Sequence, residues 1–113
     1  PGQRSDLVVY DQGDIQATAD LKHDYLLLAT PNPFNPETVV RFELSSDTAV
    51  SLTVYDLMGR RIRGLMDTGL TAGLHSVPWN GRNDSGANVA SGIYLVRLIA
   101  GNDEHSLRVT LSK

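Results

Sequence analysis

The stretch Pro31-Asn32-Pro33-Phe34-Asn35-Pro36, followed by Glu37-Thr38-Val39-Val40-Arg41-Phe42-Glu43-Leu44, decides the fold. Each proline fixes its own φ and removes a backbone donor, and each pushes the residue before it out of helical geometry. Residues 31–36 therefore form neither a helix nor an interior strand. They read as a stiff, extended strap with Phe34 as its one apolar anchor. The next eight residues alternate. Val40, Phe42 and Leu44 share one face, and Arg41 and Glu43 share the other, which is the period of a half-buried strand.

The same signal recurs downstream. Val50, Leu52 and Val54 alternate with Ser51, Thr53 and Tyr55 after the turn Ser45-Ser46-Asp47. Arg60–Met66 alternates less cleanly, and Gly64 between Ile62 and Leu65 predicts a bulge. A loop is expected over Asp67–Gly73. His75, Val77 and Trp79 then define a strand that Pro78 makes either an edge strand or a strand end. Gly92–Ile99 and Glu104–Leu111 follow the polar loop Asn80–Ser91. Upstream of the strap, Tyr25–Ala29 is one more apolar run. No segment shows a 3.6-residue period. The expectation is an all-β, antiparallel, seven-stranded sandwich of immunoglobulin-like or fibronectin-like type. Trp79 is placed at the core centre, and Tyr94, near the start of the penultimate strand, fits a corner tyrosine. Gly81 and Gly92 are read as structural turn and strand-start positions, beside Pro31, Asn32, Pro33 and Phe34.

Composition bounds the rest. The chain has 113 residues, 41% hydrophobic and 20% charged, enough for one packed domain. Its net charge of −3 sits entirely in residues 1–36, where Arg4 and Lys22 face five aspartates; residues 37–113 balance eight basic against eight acidic groups. Residues 1–24 therefore read as an acidic linker or an extra N-terminal strand, and 25–113 as the domain. A neutral domain gives no footprint for nucleic acid. No apolar run is long enough to span a membrane. The chain contains no cysteine, which removes disulfides, thiolate metal sites and cysteine nucleophiles together. It opens at Pro1 and reads as a piece of a longer protein, monomeric as an isolated domain.

Residue chemistry points away from catalysis. The histidines at 23, 75 and 105 are scattered, and no serine, histidine and acid fall into a hydrolase motif. Asn80, Asn83 and Asp84 place oxygen donors at the spacing a calcium loop uses, but with a single carboxylate. The competing reading is a turn built from Asn, Asp and Gly, with no cofactor. Arg60, Arg61 and Arg63 read as a solvated strand edge. A glycan platform needs exposed aromatics, and only Tyr55 is available.

Taken in order, the strap, Tyr55-Asp56-Leu57-Met58-Gly59-Arg60, Gly73-Leu74-His75, Trp79-Asn80-Gly81, Ser91-Gly92-Ile93-Tyr94 and the closing Lys113 resemble a known family. The chain is similar over residues 25–113 to the type A C-terminal sorting domain of the type IX secretion system. It is also similar to the Ig-like domain of the flagellar hook-capping (FlgD-like) family. The resemblance implies a non-catalytic module of a larger exported bacterial protein, secreted or held at the cell surface. Its implied partners are the secretion machinery and the preceding catalytic or adhesive domain of the same chain. The last strand, with Arg108, and Lys113 are then the expected recognition elements, the strand through an open edge. Two alternatives come from other classes. One is an accessory module binding a glycan or calcium beside a hydrolase; the other is a structural spacer or assembly unit like the hook cap.

Overall fold

A computed structural model describes residues 7–10 and 25–113. Two four-stranded sheets face each other. The first contains β1 (Leu7–Tyr10), β2 (Tyr25–Thr30), β3 (Thr38–Leu44) and β6 (Gly73–Trp79), in the order β1-β2-β3-β6. The second contains β4 (Thr48–Asp56), β5 (Arg61–Leu70), β7 (Gly92–Ala100) and β8 (Asp103–Leu111), in the order β5-β4-β7-β8. All seven strands expected from the alternation form, and every pairing among them is antiparallel. Leu7–Tyr10 adds an eighth strand, paired in parallel with β2. The remainder of the 1–24 segment lies outside the described residues.

The period-2 faces meet in one core. Leu27, Val40, Phe42 and Trp79 from the first sheet are buried against Leu52, Val54, Val96, Leu98 and Val109 from the second. β6 is an edge strand, with Pro78 opposite Val39, as a missing donor requires.

The bulge at Gly64 is present, and a second one accompanies it. Leu52 pairs with Met66 and Thr53 with Gly64, leaving Leu65 extra; Val54 pairs with Arg63 and Tyr55 with Arg61, leaving Ile62 extra. Ile62, Leu65 and Met66 thereby all pack partly against the core, which strict alternation forbids. The loop expected from Asp67 is shorter than read. β5 continues to Leu70 because Thr48–Ser51 supplies a partner for each residue from Asp67 to Leu70. That pairing is decided across strands and outweighs the weak β-propensity of Asp67 and Gly69.

The strap also departs from its reading. Residues 31–36 are a run of bends with a single β-bridge, at Phe34. Asn32 and Phe34 point inward while Pro31, Pro33, Asn35 and Pro36 stay exposed. The strap leaves the first sheet and crosses to the second. Phe34 N–H donates to the Thr110 carbonyl at 2.8 Å, and Ser112 N–H donates to the Phe34 carbonyl at 2.9 Å. The buried Thr38 hydroxyl donates back to the Pro31 carbonyl at 2.7 Å and closes the strap where β3 begins.

Candidate functional site

The residues singled out in the sequence converge at one end of the sandwich. Phe34 packs on Trp79 with ring centroids 5.3 Å apart, and Trp79 meets Tyr94 edge-on at 5.5 Å. All three are buried. Edge-to-face and tilted pairs of this kind favour the ring quadrupoles. The polar atoms of the two amphipathic rings are satisfied locally. Trp79 Nε1 donates to the Arg82 carbonyl at 2.9 Å, and Tyr94 Oη donates to the Ala90 carbonyl, the corner arrangement expected for that tyrosine. Burial, with the charge of Asp56 second, pushes the Tyr94 phenol above its ordinary value.

Gly81 sits against this cluster at φ +75, and a Cβ there would lie 3.1 Å from the Pro36 carbonyl oxygen and 3.6 Å from Leu111 Cδ2. Glycine is required twice over, by its backbone angle and by the space. Gly92 opens β7 opposite Leu111.

The last strand is covered by the strap over its C-terminal end, from Arg108 onward. Asn32 Nδ2 donates to the Arg108 carbonyl at 3.1 Å, and Thr110 N–H donates to Asn32 Oδ1 at 2.9 Å. With the two bonds from Phe34, the strap occupies the outward backbone groups from the Arg108 carbonyl to Ser112 N–H. Proline forces this division of labour: the strap has few amides, so an asparagine side chain supplies both a donor and an acceptor. Lys113 is exposed but tethered. Its backbone N–H donates to Ser91 Oγ at 3.1 Å and its ammonium donates to the Val89 carbonyl.

The loop oxygens proposed for a cation are already engaged. Asn80 Oδ1 accepts from Arg82 N–H. Asn83 Oδ1 accepts from the Ser85 and Ala87 amides and the Ser85 hydroxyl. Asp84 Oδ1 accepts from Gly64 N–H at 2.9 Å, and Asp84 Oδ2 from Arg61 Nε at 3.0 Å. The Gly64 amide first, then the Arg61 guanidinium, hold the Asp84 carboxyl below the usual carboxylate range. Asp84 N–H also donates to the Ile62 carbonyl, so the loop covers the β5 edge from Ile62 to Gly64 as the strap covers the C-terminal end of β8. Among the described residues no group of three or more His, Asp or Glu is placed to hold a metal ion. His75 stacks on Phe42 at 5.6 Å and bonds the Thr71 carbonyl. Tyr55 lies half-buried under Arg97.

Asp56 is the residue that sequence reasoning undervalued. Its Oδ1 accepts from Met58 and Arg60 amides, both at 2.9 Å, and Oδ2 pairs with Arg60 Nε at 2.7 Å. The backbone bond from Arg60, ahead of the other causes, holds this carboxyl below its usual range. Aspartate three residues before glycine is an available signal for such a turn.

A family model described as the FlgD Ig-like domain matches residues 31–104, most of the chain and the span from the strap to the start of β8. The chain belongs to the FlgD Ig-like domain family. No curated protein sequence matches it. Several solved structures share the fold of this FlgD Ig-like domain. The dimeric latent PorU of Porphyromonas gingivalis superposes with a TM-score of 0.63 at 17% identity, covering 77% of this chain and 9% of PorU. PorZ of the same organism, described as an essential surface component of the type-IX secretion system, gives 0.50 at 23% identity, covering 77% and 11%. FlgD from P. aeruginosa gives 0.52 at 22% identity, covering 78% and 67%. The chain thus spans about a tenth of PorU or PorZ. Among the described residues no helix is long and apolar enough to cross a membrane.

Proposed function

We propose that this FlgD Ig-like domain is a sorting and surface-attachment module of a larger exported bacterial protein, acting by shape and surface without chemistry of its own. The observation that carries the reading is the convergence of the strap, the Asp56–Arg60 turn, the Asn80–Ser91 loop, the start of β7 and Lys113 on one end of the sandwich. Residues that serve only the core have no reason to gather their polar partners at one pole. The small share of PorU and PorZ that the domain covers supports its being one unit in a longer chain. On this reading its partners are the secretion machinery and the domain that precedes it, and its destination is the medium or the outer surface.

The test is a reporter directed to the periplasm and fused to residues 1–113 in a bacterium with a type IX secretion system. The fusion is expected at the surface or in the medium, and the reporter alone in the periplasm. Equal distribution of the two would overturn the proposal.

A further inference from the structure

Leu57 and Met58 form the centre of the β4–β5 turn, where polar residues and glycine are the usual choice. They are 62% and 79% exposed. The turn holds them there. Besides the three side-chain bonds of Asp56, Gly59 N–H donates to the Asp56 carbonyl and Asp56 N–H to the Arg60 carbonyl, both at 3.0 Å. The backbone that carries both apolar side chains is thereby fixed. Asp56 pairs with Tyr94 in the ladder, so Ile93, 38% exposed, is the next residue on the neighbouring strand and extends the apolar tip.

The charge around the tip is not that of the domain. Arg60, Arg61, Arg63, Arg82, Arg108 and Lys113 belong to this end, against Glu37, Asp56 and Asp84, an excess of three positive charges. The rest of residues 37–113 carries two basic and five acidic groups. A neutral domain is therefore polarised along its length, with its apolar tip at the positive pole.

We propose that the Leu57-Met58 turn is the docking point for a protein partner with an apolar pocket rimmed by carboxylates. This rests on the sorting reading and names the surface by which the module is read. A pair of exposed apolar side chains on a fixed turn fits a pocket that encloses them, with the rim charges complementary to the surrounding arginines. A lipid surface fits less well, because two side chains carry too little apolar area to hold a membrane interface.

The test uses the 1–113 reporter fusion with Leu57→Asp, Met58→Asp and the double variant, beside Leu57→Ser/Met58→Ser, which adds no charge next to Asp56. Export is expected to fall at least tenfold in both double variants with an unchanged melting temperature. Leu74→Asp is the control, because Leu74 is 71% exposed at the opposite end of the sandwich, where Leu44 pairs with Gly73, and export there should stay at the parent level. Overproduction of unfused 1–113 in the same cells should slow reporter export by competition, and the Ser/Ser form should not. If the fusion needs the domain but both double variants export normally, this inference fails and the sorting reading survives. If the reporter is exported equally without the domain, the sorting reading itself fails. Co-sedimentation of purified 1–113 with vesicles of four parts phosphatidylethanolamine to one part phosphatidylglycerol, lost in the Ser/Ser form, would replace the protein partner with a lipid surface and overturn the proposal.

Discussion

Phe34→Ala tests whether the strap is a linker or part of the core. Phe34 is 2% exposed and tilts against Trp79 at 5.3 Å. Burying a phenylalanine side chain contributes about 1.5–3 kcal/mol, and an aromatic pair adds about 0.5–1.5 kcal/mol. The cavity left under rigid prolines collapses poorly, so the whole cost should fall at about 3–5 kcal/mol. The two backbone bonds of Phe34 to Thr110 and Ser112 survive the substitution, so the loss reports packing alone. For a domain whose total stability is about 5–15 kcal/mol, that is a large share. Urea unfolding followed by the fluorescence of Trp79, the chain's single tryptophan, reads the change as a lower midpoint at constant slope. A loss under about 1 kcal/mol, the size expected of an exposed linker position, would refute the reasoning.

Other substitutions probe the same end. Asn32→Ala removes the acceptor for Thr110 N–H and the donor to the Arg108 carbonyl, and should cost about 1–3 kcal/mol; Asn32→Asp keeps the acceptor but sets a buried carboxylate oxygen against the Arg108 carbonyl and should cost at least as much at neutral pH, and equal stability of all three forms would contradict the lock. Gly81→Ala should destabilise by more than about 1 kcal/mol in thermal melts, whereas Gly69→Ala, with open space at its Cβ, should be near neutral or slightly stabilising. The Asp84 carboxyl is lowered in the folded state, so its stabilisation is present above the ordinary carboxylate value and lost as pH falls through the folded one; Asp84→Asn should flatten the acid limb of the urea midpoint against pH. Tyr94 is shifted the other way, so stability should decline as pH rises above the ordinary tyrosine value of about 10, and Tyr94→Phe should remove that decline. Added calcium should leave the melting temperature unchanged, since the Asn80, Asn83 and Asp84 oxygens already accept N–H bonds; a rise would mean that the loop rearranges around the ion.

Sequence alone determined where seven of the eight strands run, the end of β5 apart, and which face of the regularly alternating ones is buried. Alternation is local: Val40, Phe42 and Leu44 sit on one side of any strand they form, whatever that strand pairs with. It also marked Gly64 as a bulge, Pro78 as an edge or a strand end, and the strap as the boundary of the repeating pattern. Tertiary structure alone decided what the strap does. Asn32 and Thr110 are 78 positions apart, and nothing in the chemistry of either names the other. Their meeting depends on β2 and β8 lying in different sheets of one sandwich, so the strap must cross between sheets and can close an edge that the sequence left open. The same holds for the loop oxygens, whose spacing suits a cation until Gly64 and Arg61, on a bulged strand 20 and 23 positions away, engage Asp84. Period and turn chemistry are written within a few residues. Hydrogen-bond partners and exposed faces are set by which distant segments the packing of both sheets brings together.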